Sequence, residues 1–149
     1  MKPALIIGAI VVVGGLAFAM WPAPEPVPQA NTGAPTSRPT QSGSALAEVT
    51  LPETLSSNAL IGKRAYEAAC AACHAPNGAG QDGVAPPLVH KIYEPNHHGD
   101  EAFQRAAAAG VRSHHWGFGN MPPVEGLTRG DVTMIVAYIR ELQRSNGIN

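Results

Sequence analysis

The chain has 149 residues, 44% of them apolar, 5% aromatic and 14% charged, with a formal charge of -1. That length allows one ordinary domain or a small domain with appendages, and the near-zero charge excludes an electrostatically driven nucleic-acid binder. With only two Cys, a disulfide-dense framework and a four-thiolate zinc site are excluded as well.

The first predicted element is an uncharged run over 4–20, preceded by Lys2 and closed by Trp21. As a helix it spans about 26 Å, the short end of what crosses a bilayer. Trp21 stands where an interfacial aromatic belongs. The next basic residue after Lys2 is Arg38, so the charge bias leaves the amino terminus in the cytoplasm and exports the rest. A cleaved signal peptide is the alternative, because Ala17-Phe18-Ala19 fits the small-x-small cleavage pattern. Retention as an anchor over 1–21 is favoured, since the run exceeds the usual h-region of about 7–15 residues.

Residues 22–54 read as a spacer. Alternating Pro22, Pro24, Pro26 and Pro28 favour extended polyproline, and the Ser/Thr/Gly/Gln mixture beyond them favours flexible coil. No apolar periodicity is present, so no core is expected there. A spacer of this kind suits an anchored domain better than a free one.

The folded part is expected over 55–149 and to be all-α, with about three main helices and long loops. Asn58 is the expected cap of a first helix over 59–72, with Leu60, Ala65, Tyr66 and Ala69 as its apolar members. Gly62 within that helix suggests the close approach of another element. Gly and Pro break the stretch 74–98. A second helix is predicted from Asp100 to the stop at Gly110, followed by a Gly/Pro-rich loop over 113–126. The last helix is the clearest: Thr128 caps it, Asp131 favours its first turn, and Val132, Ile135, Val136, Ile139 and Leu142 form one stripe. Six aromatic residues beyond position 54 make a poor core for loops of this length. Domains of this size usually recruit a metal, disulfides or a cofactor.

Cys70-Ala71-Ala72-Cys73-His74 supplies one. C-x-x-C-H is the attachment pattern of c-type haem. Thiols three apart on a helical turn point to one side and can both form thioethers along one porphyrin edge, while the adjacent His74 can donate a nitrogen to the iron. A thioredoxin-like pair would share the spacing, but no strand precedes it. Zinc would need distant His to complete four ligands. For a second axial ligand the candidates are Met121, Met134, His90, His97, His98, His114 and His115. Met134 falls within the last helix, where an apolar packing role suits it better. Met121 lies in a Gly-rich loop stiffened by Pro122-Pro123, and is the favoured ligand.

With these residues in place, the stretch 58–146 resembles the class I cytochromes c, particularly the short bacterial monohaem type with His/Met ligation. Gly62 and Tyr66 match the family's small residue and aromatic upstream of the first Cys, and Tyr138 matches an aromatic of the terminal helix. Pro86-Pro87-Leu88 resembles the segment in which a Pro carbonyl, here that of Pro86, accepts a hydrogen bond from the proximal His. Trp116-Gly117-Phe118-Gly119-Asn120-Met121-Pro122-Pro123 is similar to a loop in which the Trp nitrogen reaches a haem propionate and the Met is the distal ligand. The resemblance implies one covalently bound haem c, attached at Cys70 and Cys73 and ligated by His74 and Met121. It also implies a monomeric single-electron carrier rather than an enzyme, with no open coordination position. Combined with the anchor, it implies a single-pass protein of the bacterial inner membrane with its haem domain in the periplasm, or a soluble periplasmic one after cleavage near Ala19. The implied partners are membrane redox complexes, a quinol-oxidising complex as donor and a terminal oxidase or reaction centre as acceptor. The alternative is a dedicated cytochrome subunit of a dehydrogenase or oxidase.

Two His pairs depart from the family pattern. His114-His115, directly before Trp116, read either as solvent-facing loop residues or as neighbours of a propionate that make the potential pH-dependent. His97-His98 read as surface residues, with adventitious metal binding as the alternative. From Leu55 onward, eight Lys and Arg balance eight Asp and Glu, so no strong basic ring is expected to steer docking. A tether would substitute, holding the domain near its partners at an effective concentration of about mM.

Overall fold

The computed structural model describes residues 43–149. The expected anchor over 1–21 and the spacer as far as residue 42 lie outside the described residues. Within them the fold is all-α: α1 (Ser57–Ala69), α2 (Ala71–His74), α3 (Asp100–Ala109) and α4 (Arg129–Ser145), with 3₁₀ turns at Pro76–Gly78 and Lys91–Tyr93. Extended pairing is confined to three isolated bridges. No helix among the described residues is long and apolar enough to cross a membrane.

The first helix starts earlier than expected. Ser56, not Asn58, is its cap: Ser56 has extended φ/ψ and its hydroxyl accepts from the Ala59 amide at 3.2 Å. Glu141 of α4 fixes that cap by accepting from the Ser56 amide (3.1 Å) and hydroxyl (2.6 Å). The helix also stops at Ala69, and Cys70 caps its end before the short α2. Leu60 is 47% exposed, whereas Ala59, Gly62 and Tyr66 are buried. The buried stripe therefore lies one residue away from Leu60, because the face that meets α4 is chosen by close approach and not by side-chain size.

α4 organises the core. Thr128 and Asp131 form a reciprocal capping box, which satisfies two otherwise orphaned backbone donors. The stripe Val132, Ile135, Val136, Ile139 and Leu142 is buried as the 3.6-residue period predicts, and Tyr138 joins it. Each large member contributes about 1.5–3 kcal/mol by leaving water. At Gly62 the two helices meet backbone to backbone, and Tyr66 and Tyr138 pack with ring centroids 5.7 Å apart.

Polar side chains of α4 hold the loops. Gln143, fully buried, donates to the carbonyls of Leu88 (2.8 Å) and Tyr93 (3.0 Å). Arg140, also buried, donates to Asp100 (2.8 Å), the Tyr93 carbonyl (2.7 Å) and the His98 carbonyl (2.6 Å). A loop without regular structure must satisfy its backbone groups somewhere, and here one helix face supplies the donors.

The folded body begins before residue 55. Leu46 and Ala47 amides both donate to the Ala79 carbonyl, at 3.1 and 3.0 Å. Asn146 exchanges hydrogen bonds with both backbone groups of Thr50 at 2.9 Å. Val49 and Leu55 pack on the core. The carboxyl end of the expected spacer, 43–54, is thus part of the domain, held by backbone bonds that leave no trace in apolar periodicity.

Candidate cofactor site

Cys70 sits at the junction of α1 and α2, and Cys73 and His74 follow on α2. The amides of Cys73 and His74 both donate to the Cys70 carbonyl, at 3.2 and 2.9 Å, so the motif is a single helical turn. Cys73 is exposed and Cys70 half-buried. Burial, with the Cys73 thiol adding to it, pushes the Cys70 thiol up to about 11. That is opposite to the activated thiol of a redox C-x-x-C pair.

Directly after His74 the backbone turns sharply. Ala75 and Asn77 both have positive φ, 60° and 59°, conformations that cost of order 1–3 kcal/mol and persist only where surroundings enforce them. Two tyrosines do so: Tyr66 donates to the Ala75 carbonyl at 2.6 Å, and Tyr138 donates to the Asn77 side-chain oxygen at 2.9 Å. Burial raises the ionisation of both hydroxyls, so they remain donors. The sequence signal for these two was aromatic packing alone; their role in clamping the turn comes from Ala75 and Asn77, which nothing in the pattern marks.

His74 is 8% exposed, and its Nδ1 lies 2.9 Å from the Pro86 carbonyl. Burial depresses its protonation, opposed by that carbonyl. A neutral imidazole donating from Nδ1 keeps the Nε2 lone pair for a metal.

These residues open onto a cavity of about 560 Å³ lined by Cys70, Cys73, His74, Pro86, Trp116 and Met121, with Phe103 and Ile135 among its apolar walls. The volume is ordinary for a site that buries a cofactor. Met121 is placed by a backbone bridge to Val111, with reciprocal bonds of 2.9 and 3.0 Å. Trp116 stacks on Phe118 at 5.7 Å and meets His90 edge-on at 5.3 Å. The Trp116 Nε1 is buried and makes no hydrogen bond among the described residues, although it lies near enough to the Tyr93 hydroxyl to oppose the rise that burial imposes on that group. A buried indole N–H without an acceptor costs about 1–3 kcal/mol, and a cofactor carboxylate would satisfy it. Two thiols on one turn, a neutral imidazole, a thioether and an orphaned donor on one apolar cavity fit a covalently held haem.

Of the other ligand candidates, Met134, His90 and His97 do not line the cavity, whereas three histidines do. Met134 does not line the cavity, and its carbonyl lies where α4 meets Gly62. His90 caps the 3₁₀ turn, accepting from the Ile92 amide. His98, His114 and His115 line the same cavity as Met121, but their rings pack on one another and on His97, which is not part of that lining. Desolvation and the neighbouring imidazoles lower the protonation of His115. The two His pairs, read separately along the chain, are therefore one cluster in space.

A search of curated proteins gave no match. Residues 59–143 match the family model described as cytochrome c, more than half of the chain, and the protein belongs to the cytochrome c family, whose members carry covalently attached haem c.

Proposed function

We propose that this is a His/Met-ligated class I cytochrome, a membrane-tethered carrier that passes single electrons on the periplasmic side between membrane redox complexes. Electron transfer follows from the family; the ligand set, the tether and the partners are the proposed part. The observation that carries the ligand assignment is the shared cavity of His74, with Nδ1 on the Pro86 carbonyl, and Met121.

When bound, haem supplies a one-electron couple, and thioether ligation raises its potential relative to bis-imidazole ligation. The chain's residues do the rest. Cys70 and Cys73 would hold the group covalently, and the exposure of Cys73 supports electron exchange on that side of the domain. Pro86 orients the His74 ring. Phe103, Val132 and Ile135 keep water from the apolar side of the cavity. With His74 and Met121 both ligating, no coordination position remains for oxygen or peroxide, which supports a carrier and not an enzyme. The neutral balance of charge beyond residue 54 supports partner encounter by confinement rather than by electrostatic steering.

Met121→Ala in the haem-loaded protein tests the ligand set. Loss of the red charge-transfer band of the ferric form, and carbon monoxide binding by the ferrous form, are expected; an unchanged spectrum would exclude Met121. Haem-stained fractionation of membranes and periplasm with intact-mass measurement tests the tether. Recovery in the soluble periplasm, cut near Ala19, would refute it. A stoichiometric partner that co-purifies would instead identify a fixed subunit.

A further inference from the structure

Four histidines from two loops converge at the cavity. His97 Nε2 and His115 Nε2 are 3.4 Å apart, and one ring nitrogen from each of His97, His98 and His115 lies within 4.8 Å of the others. His114 packs against His115 with ring centroids 4.2 Å apart. A metal with nitrogen bonds of about 2.0–2.1 Å places tetrahedral ligands roughly 3.3–3.4 Å apart, so the His97–His115 pair already has the required spacing.

The donors are also preset. His98 Nδ1 is 2.7 Å from the Ile92 carbonyl, which fixes the proton on Nδ1 and leaves Nε2 as a lone pair. This is the backbone-carbonyl support that ligating histidines commonly have. The turn carrying His97 and His98 is held from three sides. Their amides donate to the Glu94 carbonyl at 3.0 and 2.8 Å, and the buried Arg140 binds the His98 carbonyl. In the second loop His114 Nδ1 bonds the Arg112 carbonyl at 2.8 Å, and the Ser113 amide bonds the Asn120 side chain at 2.9 Å.

From this geometry we propose that His97, His98 and His115 form a binding site for one divalent first-row transition ion, which shares His98 and His115 with the lining of the cofactor cavity and bridges the 94–98 turn to the 113–116 loop. Imidazole donors select borderline ions such as Zn²⁺ and Cu²⁺ over Mg²⁺ or Ca²⁺, and three protein ligands leave a fourth position for water.

The test uses untagged, haem-loaded full-length protein titrated with Zn²⁺ by calorimetry at pH 7.5. One equivalent is expected to saturate. His97→Asn and His115→Asn, both surface changes, are each expected to weaken binding at least about tenfold, as the loss of a ligand should exceed the loss of an outer partner. An unchanged haem spectrum verifies that each variant is folded. Cu²⁺ added to the ferric protein is expected to show nitrogen couplings in its paramagnetic resonance spectrum, lost in His115→Asn. Non-saturating heats, or equal affinity in the folded variants, would overturn the site.

Discussion

Gly62 on α1 and Met134 on α4 meet through their backbones: a Cβ built on Gly62 would overlap the Met134 carbonyl oxygen, with the Ile135 amide next in line. The obstacle is main chain within a capped helix, so it cannot rotate away as a side chain could. Gly62→Ala is expected to force the helices apart and to cost about 3 kcal/mol, the upper part of the overpacking range. The denaturant midpoint of the haem-loaded protein measures this. A gain of about 0.8–1 kcal/mol, the ordinary effect of Gly to Ala in a helix, would show that the crossing is elsewhere.

The capping box at Thr128 gives a pH signature. The Thr128 hydroxyl, and then its amide, hold the Asp131 carboxyl below the usual carboxylate range. A carboxylate with a lowered folded value stabilises the fold above its unfolded value, about 3.9, and loses that contribution as pH falls through the folded one. Thr128→Ala is expected to lower Tm by roughly 4 °C at pH 7. The gap between variant and parent should narrow as pH falls from 5 to 2. A gap independent of pH would mean that the hydroxyl's bond to the Asp131 amide is the whole effect.

The helices were legible because their signals are local. The stripe of α4 has a 3.6-residue period, Thr128 and Asp131 stand three apart, and Gly110 ends α3. The candidate cofactor residues stand out in the sequence for a different reason, since the spacing of C-x-x-C-H is set by the geometry of the group such motifs attach. What escaped was whatever depends on residues distant in sequence. Ser56, Ser57 and Asn58 are all residue types that cap helices, and what singles out Ser56 is its second partner, Glu141, 85 positions away. Residues 43–54 read as spacer because their bonds go to Ala79 and Asn146. Likewise His97-His98 and His114-His115 looked like two surface pairs until the fold joined them.

Trp116 offers a measurement of the cofactor's environment. Its buried Nε1 makes no hydrogen bond among the described residues, and on the proposed assignment it donates to a propionate. Trp116→Phe keeps an aromatic ring against Phe118 and removes the donor, together with part of the indole's volume. The carboxylate then carries less compensated negative charge, which favours the ferric state, so the reduction potential is expected to fall. If the bond were worth about 1 kcal/mol more to the ferrous than to the ferric state, its loss would lower the potential by roughly 40 mV for one electron, the upper end of the expected shift. Voltammetry of the two proteins decides it, and an unchanged potential would remove Trp116 from the site.

Gly110 provides a way to disturb Met121 without replacing it. Its φ is +74° and its ψ is -177°, a region open essentially to glycine alone. A Cβ there would overlap the Met121 carbonyl, with Pro122 and Pro123 just beyond. The neighbouring Val111 makes the backbone bridge that fixes Met121. Gly110→Ala therefore presses on the main chain of Met121, the proposed ligand, and the bridge transmits any displacement toward its side chain. The expected result is a weakened red charge-transfer band and new carbon monoxide binding, with Cys70, Cys73 and His74 unaffected and haem still covalently attached. Gly119→Ala is the matched control: it also has positive φ, 92°, but its Cβ would meet nothing within 4 Å. Local strain is then common to both variants, and only the Gly110 change pushes on Met121. If the two gave the same spectrum, backbone strain in the loop, and not the contact at Gly110, would govern ligation.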